Sequence, residues 1–158
     1  MPKVPPPTTS PPPLVVGFSA RALAEATAAH FAPPLVADRF ADHDCQQAAE
    51  LCFEIDQWGG RLESDWYVLS QLTAAGAQPS SPVLLGGGTE NWPELVELLH
   101  QQFTVLGPTS HQLQQLRSPE YWQACATAAG VAFPETHWEG ASAVDERSIQ
   151  KGAMRRSA

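Results

Sequence analysis

Two glycine turns, each set between a short apolar run and a helical stretch, constrain this chain more than any other feature. Val83-Leu84-Leu85 runs into Gly86-Gly87-Gly88-Thr89-Glu90-Asn91, and Trp92-Pro93-Glu94-Leu95-Val96-Glu97-Leu98-Leu99 continues with a helical apolar period. Thr104-Val105-Leu106 then runs into Gly107-Pro108-Thr109, with a further helical stretch behind it. Repeated strand, glycine turn and helix imply an open α/β sheet, and the ligands of such sheets sit at the carboxyl ends of the strands.

The rest of the chain keeps this alternation. Leu14–Gly17 predicts a first strand, Ala20–Phe31 a helix, and Pro34–Asp38 a second strand. Asp44–Leu51 predicts a helix with Asp42 or His43 near its cap, and Phe53–Asp56 alternates like a short strand. Glu63–Ala75 reads as a helix closed by Gly76 at C′, and Gln78–Pro82 as a loop. After the strand at Val83 comes a helix over Trp92–Gln101, with Pro93 in its first turn. The strand at Thr104 leads to helices at Ser110–Leu116 and Pro119–Ala129, the latter N-capped by Ser118 and ended by Gly130. Val131–Pro134 leads out of the domain. The expected fold is a three-layer, Rossmann-like α/β domain: an open parallel sheet with helices on both faces.

Three segments are expected. Residues 1–13 hold 7 of the 15 prolines and predict a disordered tail. Residues 14–138 form the α/β domain. Residues 139–158 lose the hydrophobic period and predict a non-globular tail. Charge divides along the same line. Residues 1–140 carry 5 basic and 15 acidic side chains, whereas residues 141–158 carry 4 basic and 2 acidic. An acidic body argues against nucleic-acid and anionic-membrane partners, which need clustered Lys and Arg. No apolar run approaches the ~18 residues of a membrane span. Cys45, Cys52 and Cys125 imply free thiols in a reducing compartment rather than a disulfide framework. Lys3 is followed by prolines instead of an apolar signal region, so a cytoplasmic location is expected.

The first turn, Gly17-Phe18-Ser19-Ala20-Arg21-Ala22, stands where a dinucleotide fingerprint would, with Asp38 at the end of the second strand. Ser19 and Ala22 replace the later glycines, so the same residues also read as a plain strand-to-helix turn. An oxidoreductase reading rests on this turn alone. Arg21 reads either as a cation at a pocket rim or as a solvated helix residue. In Gly86–Asn91, the glycines permit positive φ and close backbone approach. Glu90 and Asn91 stand at a helix mouth, where a cap accounts for Asn91 but not for three preceding glycines. His30, His43, His100, His111 and His137 are scattered without ligand spacing, and no metal site is expected. Trp58, Trp66, Trp92, Trp122 and Trp138 read as core or interface residues. Neither a nucleophile elbow nor a P-loop is present.

Gly86-Gly87-Gly88-Thr89-Glu90-Asn91 resembles the glycine-rich turn ending in Glu-Asn of the N-terminal domain of biotin carboxylases, members of the ATP-grasp superfamily of ligases. Gly107-Pro108-Thr109, Arg117-Ser118-Pro119, the helix ending Ala129-Gly130-Val131, and Phe133-Pro134-Glu135-Thr136 resemble the segments that succeed this turn in those enzymes. The resemblance covers about residues 14–138, the pre-ATP-grasp domain, and is also close to ATP-grasp ligases that look associated with pterin-linked one-carbon metabolism. It implies a chemistry in which ATP and Mg²⁺ turn a carboxylate into an acyl phosphate, whose acyl group passes to an amine or similar nucleophile. It assigns substrate contacts to Gly17, Ser19, Arg21, Asp38, Gly87, Gly88, Glu90 and Asn91, and places no catalytic or metal-binding residue in this chain. The sequence departs from the family at Ser118-Pro119, where many members carry Asp-Lys with a phosphate-binding lysine. Past Trp138 the lid and ATP-grasp core are not recognisable. The expectation is thus a truncated or split substrate-side domain, inactive alone, whose ATP-grasp domain is missing or carried by a partner chain. The alternative is a stand-alone α/β ligand-binding or regulatory module without catalysis.

Overall fold

The computed structural model describes residues 10–55 and 62–134, with the backbone alone at 62–64. Most of the 1–13 tail, Asp56, Trp58, Glu135, Thr136, His137, Trp138 and the 139–158 tail lie outside the described residues. The chain divides into two units, Met1–Gln115 and Leu116–Ala158.

The first unit is built on five strands: β1 (Leu14–Gly17), β2 (Leu35–Asp38), β3 (Leu51–Glu54), β4 (Pro82–Leu85) and β5 (Thr104–Val105). They pair in the order β3-β2-β1-β4-β5, and every pairing is parallel. Helix α1 (Arg21–His30) joins β1 to β2, α2 (His43–Ala48) joins β2 to β3, α3 (Leu62–Ala74) joins β3 to β4, and α4 (Pro93–Gln102) joins β4 to β5. Helix α5 (Ser110–Leu116) comes after β5. The chain starts in the middle of the sheet, winds outward through β2 and β3, and returns to the other side of β1. Crossovers keep one hand, so this reversal sends the later helices to the opposite face.

Two apolar clusters record that layering. On one face Leu14, Val16, Leu35, Ala37 and Val83 pack with Val68, Leu69 and Leu72 of α3 and with Trp92, Leu95 and Leu99. On the other face Val15 and Val36 pack with Ala20, Ala24 of α1 and Cys45 of α2. Residues 14, 16 and 15 divide between the faces because strand side chains alternate. The α/β fold with a parallel sheet and helices on both faces is as the sequence predicts.

Local chemistry explains the helix ends. Asp42 caps α2 by accepting from the Cys45 N–H at 2.9 Å. Gly76, at φ 99°, closes the turn after α3. Pro93 opens α4, where its missing N–H costs nothing. The boundaries around α2 differ from expectation. The helix predicted over Asp44–Leu51 stops at Ala48, and the strand predicted over Phe53–Asp56 occupies Leu51–Glu54. Pairing in register with β2, Leu35 against Leu51 and Asp38 against Glu54, draws Leu51 into the sheet. A 3₁₀ turn over Thr89–Asn91 precedes α4.

The second unit contains α6 (Pro119–Ala128). The Ser118 hydroxyl accepts from the Tyr121 N–H at 3.2 Å, and Gly130 lies just past the helix at φ 66°. No residue of α6 is buried.

Candidate functional site

Strand order reverses between β1 and β4, so the carboxyl ends of these two strands flank the crevice where open α/β sheets bind ligands. The turns at those ends are Gly17-Phe18-Ser19 and Gly86-Gly87-Gly88, and they are joined to each other. The Gly86 N–H donates to the Val16 carbonyl at 2.7 Å, and the Phe18 N–H to the Gly87 carbonyl at 2.8 Å. Ser19 and Gly87 form an isolated antiparallel bridge.

Glycine is required at two places in this junction, Gly17 and Gly88, and is a tight fit at a third, Gly86. A Cβ on Gly17 would stand 2.9 Å from Gly86 Cα, and one on Gly86 would stand 3.2 Å from Gly17 Cα. Gly88 is left-handed, at φ 92°, and a Cβ there would meet Phe18 Cβ at 2.3 Å. Gly87 is different: a Cβ there would enter open space. The turn is braced from within. Thr89 Oγ1 donates to the Gly86 carbonyl at 2.8 Å, and Glu90 Oε2 accepts from the Gly88 N–H at 2.8 Å. Asn91 Nδ2 lies 3.5 Å from Glu90 Oε1. Ser19, Gly87, Glu90 and Asn91 are exposed around the junction. The turn therefore presents a backbone N–H that a carboxylate occupies, in this case the protein's own.

Arg21 and Asp38 have other partners. Arg21 Nη1 lies 3.4 Å from Asp44 and 3.8 Å from Asp42, which ties the start of α1 to the start of α2. The Asp38 carboxylate is buried and accepts three backbone bonds: from Ala20 N–H at 2.6 Å, Phe40 N–H at 2.7 Å and Ala41 N–H at 2.8 Å. Ala20 is the N-cap of α1, and Asp38 reaches from the neighbouring strand to hold its backbone N–H. Gly17, Ser19, Gly87, Gly88, Glu90 and Asn91 thus gather in one place, while Arg21 and Asp38 frame the same sheet edge over β1 and β2.

Four further features of this edge appear in the structure. The Phe18 and Phe40 rings meet edge-to-face at 5.3 Å. The Arg39 guanidinium bonds Glu54 at 2.8 Å and lies 6.0 Å from the centre of the Phe40 ring. The fourth is Asp65, in the first turns of α3, which is 1% exposed; its Oδ1 has no hydrogen-bond partner among the described residues. Burial pushes its carboxyl up to about 6; the Trp92 indole opposes that shift and Glu94 adds to it. A signal for Asp65 exists in the sequence. Asp65, Val68, Leu69 and Leu72 keep a helical apolar spacing, so Asp65 stands on the buried stripe.

Solved structures of biotin carboxylases share this fold. The biotin carboxylase domain of a single-chain bacterial carboxylase matches with a TM-score of 0.53 and 15% identity, covering 78% of this chain and 30% of that one. The biotin carboxylase domain of 2-oxoglutarate carboxylase from Hydrogenobacter thermophilus, in complex with MgADP, ADP and bicarbonate, matches with a TM-score of 0.53 and 13% identity, covering 77% and 28%. The complete multifunctional pyruvate carboxylase from Rhizobium etli matches with a TM-score of 0.52 and 16% identity, covering 77% and 13%. The chain spans less than a third of the length of these proteins. At such identities the likeness is one of fold, that of the N-terminal domain of biotin carboxylases, as the glycine turns imply. No family model matches the sequence, and no curated protein sequence matches it.

Proposed function

We propose that this chain is the substrate-side N-terminal domain of an ATP-dependent ligase of the ATP-grasp type, shaping a pocket for a small carboxylate. One observation carries this reading: the two joined glycine turns lie at the strand-order reversal of a sheet shared with biotin carboxylases. Within it, the Gly88 N–H is the donor for a substrate carboxylate, replacing Glu90. The Ser19 hydroxyl and Asn91 amide supply neutral hydrogen bonds, and Gly87 leaves open space for the substrate to approach. Asp38 and the Arg21 bridge hold the edge in shape rather than touching the reacting atoms.

ATP and Mg²⁺ belong to the full-length family, and the described residues of this chain do not fit them. Among the described residues no three His, Cys, Asp or Glu side chains converge to hold a metal ion. Ser118-Pro119 stands where a phosphate-binding lysine would be. The ATP site belongs to a further domain or a partner chain, and the activation step takes place there. This chain alone is expected to be inactive.

The test is to read the gene downstream of the Phe133 codon in all three frames. A frame that resumes with an ATP-grasp core and paired metal carboxylates supports the ligase reading. A frame without them leaves the second reading, a stand-alone α/β binding or regulatory module. That reading is favoured by one observation: the described strands and both core clusters all lie within residues 14–105. MgATP hydrolysis by the purified chain would count against both.

A further inference from the structure

The α1/α2 face of the sheet holds a thiol pair that the glycine-turn site does not use. Cys45 on α2 is fully buried, and Cys52 in β3 is partly buried against the same cluster. The two Sγ atoms are 3.4 Å apart. A disulfide needs about 2.05 Å, so the sulfurs must close by about 1.4 Å. The element that has to move is small. Helix α2 is 6 residues long, is held at its start by the Asp42 cap, and runs at once into extended backbone at Ala49.

We propose that Cys45 and Cys52 are a reversible disulfide site, closed when the native chain meets a peroxide. The chemistry balances in two steps. The thiol of Cys52, the more accessible of the pair, loses its proton and attacks one peroxide oxygen, giving a sulfenic acid and releasing one water. The Cys45 sulfur then attacks the Cys52 sulfur and displaces hydroxide, which takes up the Cys45 proton and leaves as a second water. Two thiols lose two protons and two electrons in all, and the peroxide is reduced to two waters. Burial holds both thiols protonated; their mutual contact and the carboxylates of Asp38 and Asp42 raise Cys52 further, while Arg21 acts the other way on Cys45. The first step therefore requires Cys52 to give up a proton that burial holds in place. The second step needs no approach, because the partner sulfur is already in contact, and it proceeds as the Cys45 thiol gives up its proton. Since Asp42 and Asp44 both bridge to Arg21, movement of α2 on closure reaches the rim of the first glycine turn. This inference is independent of the ligase reading.

The experiment treats the native chain with hydrogen peroxide, unfolds it, blocks remaining thiols with an alkylating agent, and maps the peptides by mass spectrometry. The expected result is a fall from three alkylatable thiols to one, a Cys45–Cys52 linked peptide lighter by two hydrogens, and recovery of all three thiols with dithiothreitol. Cys125→Ser should leave the link intact, and Cys52→Ser should abolish it. Retention of three thiols, conversion straight to sulfinic acid, or links through Cys125 would each overturn the proposal. All three are read on the wild-type chain, so a variant that fails to fold does not blunt the test.

Discussion

Gly17 and Gly86 touch backbone to backbone, so closely that a Cβ on Gly17 would stand 2.9 Å from the Cα of Gly86. They stand at the carboxyl ends of β1 and β4, strands far apart in sequence and adjacent in the sheet, and their contact fixes the spacing of the two turns that form the candidate site.

That contact makes the glycines unequal. Gly17→Ala forces backbone apart in a packed junction and should destabilise the domain by about 1–3 kcal/mol. Gly88→Ala adds the cost of a left-handed alanine to a clash with Phe18, and should lose about 2–4 kcal/mol. Gly87→Ala meets open space and should change stability by less than about 1 kcal/mol. Urea unfolding of the three variants checks the order. Equal losses at Gly87 and Gly88 would show that the turn is not built this way.

Asp38 holds three backbone N–H groups, one of them at the start of α1. Asp38→Ala leaves these donors without a partner and should cost about 2–4 kcal/mol. Asp38→Asn keeps one acceptor oxygen and should cost less. Amide hydrogen exchange at Ala20, Phe40 and Ala41 should speed up in the alanine variant. Unchanged exchange there would refute the capping role.

Asp65 makes stability depend on pH. Its folded pKa, raised by burial to about 6, lies above the unfolded value of about 3.9. Between these values the folded chain binds more protons than the unfolded chain, so this contribution to stability is lost as pH rises. It is complete below about pH 4 and gone above about pH 6. Asp65→Asn removes the penalty and should raise stability at pH 7.5 by about 1–3 kcal/mol, with little change at pH 4. Thermal unfolding across this range reads the difference. A variant less stable than wild type at pH 7.5 would mean that the ionised carboxylate is a net gain.

A groove of about 710 Å³ runs along Pro11-Pro12-Pro13, Phe31, Leu84 and Leu106 in the first unit. Phe31 is 83% exposed and Leu106 57%. Contiguous apolar surface of this kind favours association. The purified chain should therefore show an apparent mass that rises with concentration in light scattering, and Phe31→Ser with Leu106→Ser should lower it. A monodisperse monomer at every concentration would contradict this.

The order and type of the elements are legible in the sequence. Alternating apolar runs, glycine turns, the Asp42 and Ser118 caps and the Pro93 start are local signals, and local hydrogen bonding and backbone freedom act within a few residues. For the same reason it located the turns of the candidate site, from Gly17 and Ser19 to Gly87, Gly88, Glu90 and Asn91. Tertiary structure alone decided the strand order, the β3 register that turns Leu51 from helix into strand, and the partners of Asp38, Asp65 and Cys45. Asp38 reads as a ligand residue because its position in sequence fits one. In the fold its oxygens reach the Ala20 N–H, eighteen residues away in the chain and adjacent in space. Such pairings depend on which segments the sheet brings together. The hydrophobic and hydrogen-bonding terms that choose them are summed over the whole core, so no single stretch of sequence carries them.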